Sequence, residues 1–191
     1  MRYREKKIMN FIPKDVESVL DVGSAGNIFN KNYKTTTLDA VFDADIKQDL
    51  NLNQKLPFKD NSFDLVVMNQ ILEHLVYPQE LIDEAKRVSK KYILIGLPNE
   101  YLIKFRLYHF LGFPMKDTFI GTGYNPFGHK PSFTIPTIKK FIDLFFSDTK
   151  LVNSFYIPFL SDRLGIFSEY LTKLRPNLFA NEVYYLLGVV E

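Results

Sequence analysis

Cysteine and tryptophan are both missing from this 191-residue chain. The lack of cysteine excludes disulfides and thiolate metal sites, and fits a reducing, cytoplasmic setting. No surplus of charge stands out: 24 Lys and Arg face 22 Asp and Glu, a formal net charge of +2. That near-balance leaves no basic footprint for nucleic acid. No apolar run reaches the roughly 18 residues of a spanning helix. The opening residues 1–7 are charged and lack the apolar core of a signal peptide. Histidine is scarce too, with three in all. His74, His109 and His129 are scattered with no second ligand pattern, so no metal site is expected. What is plentiful is aromatic: 18 Phe and 11 Tyr, many of them after residue 100. The length suits one domain with a proper core. Residues 1–191 are read as that domain, with 99–133 and 158–181 as cap segments.

Val19-Leu20-Asp21-Val22-Gly23-Ser24-Ala25-Gly26-Asn27 is the stretch around which the rest is organised. An apolar run of this kind reads as a central parallel strand, hydrophobic on both faces. Gly23 and Gly26 let the backbone bend and come close to something bound. Ligands of open α/β sheets sit outside the carboxyl ends of the strands. The turn is therefore a candidate nucleotide-type site, against the plainer reading of an ordinary strand-to-loop turn.

Strands and helices alternate along the chain. A leading helix is expected over 3–11, the first strand over 19–22, and a short helix at most between Ser24 and Lys34. Thr35 to Leu38 is β-branched and reads as the second strand, ending at Asp39. Ala44-Asp45-Ile46 reads as a short third strand, joined by a loop because four residues cannot hold a crossover helix. Phe63 to Met68 and Tyr92 to Leu97 are buried strands. Between them Leu81, Ile82, Ala85 and Val88 fall on one helical face. Tyr101 to Leu111 and Ser161 to Leu174 are expected as helices, and Gly112 to Ser132 as a long loop. Thr134 caps a helix striped by Ile138, Phe141, Ile142 and Phe145. Strands at 151–157 and 182–190 close the chain. The alternation argues for a mostly parallel sheet with helices on both faces.

Four strand ends then fall on one edge: Asp21 with Gly23, Asp39, Asp49 and Asn69. An acid ending the second strand suits two vicinal ribose hydroxyls, because a carboxylate only accepts and both hydroxyls can donate. Its plainer role is a strand-end cap.

The run Leu56-Pro57-Phe58-Lys59-Asp60-Asn61-Ser62-Phe63-Asp64, continued to Leu72-Glu73-His74-Leu75, resembles the class I S-adenosylmethionine-dependent methyltransferases of small-molecule type. Leu20 to Gly23, Leu38-Asp39, Leu94 to Asn99 and Gly128 to Thr134 are similar to further segments of that family. The resemblance covers about residues 17–146 well. It implies a Rossmann-like seven-stranded, mostly parallel sheet with an antiparallel last strand and an aromatic-rich cap after strand five. It also implies S-adenosyl-L-methionine as cofactor, with Asp21, Gly23, Ser24 and Gly26 at its amino-acid end and Asp39 with Ala40 at the ribose. Asp49 with Leu50 would lie near the adenine, and Asn69 with Gln70 near the methionyl part or the substrate. The turn departs from the family's D-x-G-x-G-x-G at Ala25 and Asn27, and the helices after strands one and two are clipped or missing.

The activity so implied is methyl transfer to a small-molecule acceptor, sugar-linked and lipid-linked compounds included, because aromatic rings pack on both. His129, in a Gly/Pro loop, and His74, at a helix end, are the candidate catalytic bases. His109 reads as part of an amphipathic segment. Tyr101 to Phe113, with Lys104 and Arg106, could rest on a membrane surface. The alternatives are a non-enzymatic scaffold on the same fold, and a nicotinamide-dependent oxidoreductase, which needs a G-x-G-x-x-G that the turn does not supply.

Overall fold

In a computed structural model of the chain, residues 2–24, 28–29, 32–113 and 132–190 are described. Seven strands form one sheet in the order β3-β2-β1-β4-β5-β7-β6. They are β1 (Ser18–Val22), β2 (Lys34–Asp39), β3 (Ile46–Lys47), β4 (Phe63–Asn69), β5 (Ser89–Pro98), β6 (Thr149–Pro158) and β7 (Ala180–Val189). Strands β1 to β5 pair in parallel. Strand β7 enters between β5 and β6 and is antiparallel to both. This is the mostly parallel, Rossmann-like sheet with an antiparallel last strand that the sequence implied.

Alternation along each strand divides the core into two layers. Leu20, Val22, Val66, Met68, Ile93 and Ile95 pack on one face. That face is covered by α2 (Gln79–Val88) and α4 (Ile135–Phe145), through Leu81, Ile82, Ala85 and Val88 and through Ile138 and Ile142. Thr134 caps α4: its hydroxyl accepts from Thr137 N, and Thr137 Oγ1 accepts from Thr134 N at 2.8 Å. Val19, Leu65, Val67, Leu94, Tyr184 and Leu186 face the other way, against Ile8 of α1 (Tyr3–Phe11).

The third strand lies later than the expected 44–46. Asp45 Oδ2 accepts Thr37 N and Thr37 Oγ1, both at 2.8 Å, so a side chain takes the place a strand carbonyl would fill. Those bonds hold the Asp45 carboxyl below its usual range. Backbone pairing starts only beyond it, with Leu38↔Ile46 and Asp39↔Lys47. A strand this short, set at the far end of β2, needs a return of only about two residues, or about 7 Å. A loop covers that without a helix. Between Gly23 and β2 no described residue is helical. There the buried Phe29 anchors a turn, its carbonyl accepting from Asn32 N and Tyr33 N.

The long motif after β3 has a structural role. Arg87 of α2 donates Nη1 to the Phe58 carbonyl at 2.8 Å and Nη2 to the Leu56 carbonyl at 3.1 Å. Its fork also meets Asp60 and Glu84. Asp64 Oδ2, at the start of β4, accepts from Glu17 N and Ser18 N at 3.1 Å, and from the Ser18 hydroxyl. Burial opposes ionisation of Asp64, yet these donors and Lys91 hold it down to about 2. The motif thus pins the loop to α2 and β4 to β1.

At the carboxyl edge β5 leads into α3 (Ile103–Phe110), shorter than the expected 101–111, and β6 leads into α5 (Ser161–Leu174) and the short α6 (Pro176–Phe179). Asn99 Nδ2 donates to the carbonyls of Asn177 and Ala180, tying the end of β5 to α6 and β7. No helix among the described residues is long and apolar enough to cross a membrane.

Candidate functional site

The register fixes where the strand-end residues meet. Asp21 lies level with Thr37 of β2 and Val67 of β4. Two residues further, on the same face of the pleat, come Asp39 and Asn69. Gly23 therefore sits between an acid on one side and an amide on the other, with Asp21 behind it. All three side chains share the face that α1 covers.

Gly23 has φ +75°, and its N–H donates to the Leu38 carbonyl at 2.8 Å. A Cβ there would lie 2.9 Å from Ile71 Cδ1. The left-handed backbone and the lack of room both require glycine. Asp21 and Ser24 are buried. Burial pushes the Asp21 carboxyl up to about 6; the Ser24 hydroxyl beside it pulls back, and the Asp39 charge adds to the rise. A buried acid with no cation against it among the described residues favours a positively charged ligand.

Asp39 is 9% exposed, and its Oδ1 accepts from Val41 N at 2.7 Å and Phe42 N at 2.9 Å. One carboxylate oxygen thus shapes the loop, as the plainer reading held. The other accepts no hydrogen bond from the described residues. Ala40 is exposed beside it. Beyond β3, Asp49 is exposed and caps Asn51 N, whereas Leu50 is buried.

Past β4, Gln70 takes a left-handed φ of 58° and donates its N–H to the Gly96 carbonyl at 2.9 Å. Its buried Nε2 has no partner among the described residues. A strained residue with an unmet donor at a strand's carboxyl end is the kind of feature that marks a site. His74 ends a 3₁₀ turn, Leu72–His74, that follows at once, and is half-buried. His109 is exposed on α3. Gly26 and His129 lie outside the described residues, as do Ala25 and Asn27.

The sequence reading missed three residues here. Arg4, Glu182 and Tyr184 form a polar cluster on the Asn69 side chain. The one signal was an acid and two tyrosines in an otherwise apolar closing strand. An open hollow of about 590 Å³, lined by Leu56, Phe58, Lys59, Glu84 and Arg87 among others, lies at the opposite, amino edge of β4. The Arg87 bonds already described occupy its polar groups. No group of three or more His, Cys, Asp or Glu side chains among the described residues could hold a metal ion.

A family model for a methyltransferase domain matches residues 27–93. An uncharacterized protein of Methanocaldococcus jannaschii is 43% identical over 54 residues, spanning 27% of this chain and 26% of that protein. The chain thus matches about a quarter of that relative's length. Among solved structures, a SAM-dependent methyltransferase from Archaeoglobus fulgidus superposes with a TM-score of 0.64 at 18% identity, over 97% of this chain and 92% of the other. One from Aquifex aeolicus gives a TM-score of 0.57 at 15% identity, over 98% and 90%. At these identities the likeness is one of fold.

Proposed function

We propose that the chain is a class I S-adenosylmethionine-dependent methyltransferase acting on a small-molecule acceptor, a reading supported by its fold and by the methyltransferase-domain match over residues 27–93. The carrying observation is the placement of Gly23 between Asp39 and Asn69, with Asp21 buried behind it on the α1 face. This donor and acceptor set fits the cofactor. A glycine turn admits an amino-acid end, a free carboxylate oxygen suits ribose hydroxyls, and a buried acid suits a cation.

Bound S-adenosylmethionine supplies an already activated methyl group on a sulfonium. The chain's residues then have to align and enclose. Gly23 would let the backbone approach, Asp39 Oδ2 would accept from the ribose, and Asp49 with Leu50 would border the adenine. Asp21 would supply negative charge within the site, and Asn69 with Gln70 would border the transfer point. Helix α1, whose Arg4 meets Asn69, would close one side of the site, and excluding water there strengthens each polar contact. Alignment of this kind can supply much of the rate for a displacement that needs no covalent help. For a hydroxyl acceptor, His74 and His129 are the two candidate bases.

The cap segments 99–133 and 158–181 bear on the acceptor. Helices α3 and α5 both leave the carboxyl edge and carry exposed apolar side chains, among them Leu107, Phe110, Ile166 and Phe167. Residues 101–113 hold Lys104 and Arg106 and no acid. These features support an acceptor with an apolar portion, met in solution or at a membrane surface. Calorimetric titration with S-adenosylmethionine or S-adenosylhomocysteine tests the reading. Binding is expected, weakened about tenfold or more by Asp39→Ala, as for loss of a hydrogen bond to a charged group. No binding heat at millimolar ligand would overturn it.

A further inference from the structure

The side-chain oxygen of Asn69 faces protein donors. Arg4 Nη2 of α1 donates to Oδ1 at 3.0 Å, and the Tyr184 hydroxyl lies 2.7 Å from the same atom. Arginine has donors only, so this contact fixes which way round the amide sits. Glu182 Oε2 completes the cluster, 2.7 Å from Arg4 Nε and 2.8 Å from the Tyr184 hydroxyl. Gly96 makes room for it: a Cβ there would lie 2.5 Å from the Tyr184 ring and 2.7 Å from Asn69 Oδ1. Three elements, α1, β4 and β7, meet at one amide.

With Oδ1 committed, Nδ2 is the part of Asn69 left to meet a ligand. It has no partner among the described residues. An amide held this way donates to a lone pair and cannot accept from an amine. Helix α1 has few other anchors: Ile8 is its one fully buried residue, Phe11 lies with its ring centre 4.3 Å from that of Phe155, and Tyr3 and Lys7 reach Glu169 of α5. Nine residues are too few for a helix to persist undocked.

We propose that Arg4 is a positioning residue for the cofactor site, acting through Asn69, so that docking of α1 and binding at the Gly23 turn reinforce each other. The proposal rests on the cofactor reading above. Coupling of this kind is reciprocal: ligand must steady α1 by the same factor by which docked α1 tightens ligand.

Amide hydrogen exchange and calorimetry on the full chain, with S-adenosylhomocysteine as probe, test it together. In the wild type, saturating ligand is expected to slow exchange over residues 3–11 at least fivefold. Arg4→Gln should abolish that slowing and weaken binding about tenfold, and Arg4→Lys should restore part of both. Lys6→Ala, exposed on the same helix, should change neither. Asn69→Asp keeps an acceptor for Arg4 and Tyr184, so ligand-free exchange of α1 should stay as in the wild type while binding weakens. Wild-type binding with α1 exchange unchanged by ligand overturns the coupling and leaves the cofactor reading standing. So does Arg4→Gln or Asn69→Asp binding as tightly as the wild type. No wild-type binding at all overturns the cofactor reading itself.

Discussion

Asp21 and Asp39 end neighbouring strands on one face of the sheet, both buried, and the charge of Asp39 helps to lift the Asp21 carboxyl. Burial is the larger cause, and together they bring Asp21 up to about 6. An unfolded aspartate titrates near ~4. The folded protein therefore binds the Asp21 proton more tightly than the unfolded chain does. The ionised group costs stability above about pH 6 and nothing below about pH 4. Asp21→Asn should stabilise the protein by about 2 kcal/mol at pH 8, with the gain fading as pH falls from 6 to 4. Urea unfolding at several pH values checks this. A gain independent of pH would mean that ionisation is not its source.

Ligand affinity should carry the same signature. A cationic ligand favours ionised Asp21, so binding below pH 6 must release its proton. The dissociation constant for S-adenosylmethionine is expected to rise by up to about tenfold per unit below pH 6 and to level off above it. Titrations in buffers of different ionisation heat would count the proton. In Asp21→Asn the slope should vanish.

Gly23→Ala places a methyl group against Ile71 at a left-handed backbone position. Strain and crowding together should cost about 2 kcal/mol. Chemical unfolding measures the cost, and calorimetry should show binding weakened beyond what stability explains. A variant as stable as the wild type would show that the turn relaxes freely.

Asp64 is the opposite case from Asp21. Its pKa is lowered to about 2, so its contribution is present above the unfolded value near ~4 and is lost as pH falls towards 2. Asp64→Asn should destabilise by about 1 kcal/mol at neutral pH, less than the shift alone suggests because the carboxylate is partly wet and screened. Thermal unfolding should show the gap closing near pH 2. Ligand affinity should be unchanged, since Asp64 lies at the amino end of β4.

The sheet was legible because its central strands are short apolar runs that end at Gly23, Asn69 and Pro98, and α2 and α4 carry an unbroken helical stripe. Asp21, Gly23 and Asp39 followed from position at strand ends. Strand β3 was misplaced because two residues carry no period, and because Asp45 mimics a strand partner with its side chain. The Arg4–Glu182 pair joins residues 178 positions apart, which no local pattern encodes. Nor does the sequence alone separate the apolar residues of α3, most of them exposed, from a buried stripe.

Strand β7 is made last of the seven yet lies between β5 and β6. A nascent chain can therefore form β1, β2 and β4 and the Gly23 turn early, but not the cluster that seats Asn69. Glu182 and Tyr184 arrive only when residues 180–189 clear the ribosome. Until then β5 keeps an open edge, and the segment carrying β6 has no neighbour to pair with. Non-local closure of this kind is slow and leaves sticky intermediates exposed. On the cofactor reading proposed above, full tightening of the site waits for the final strand.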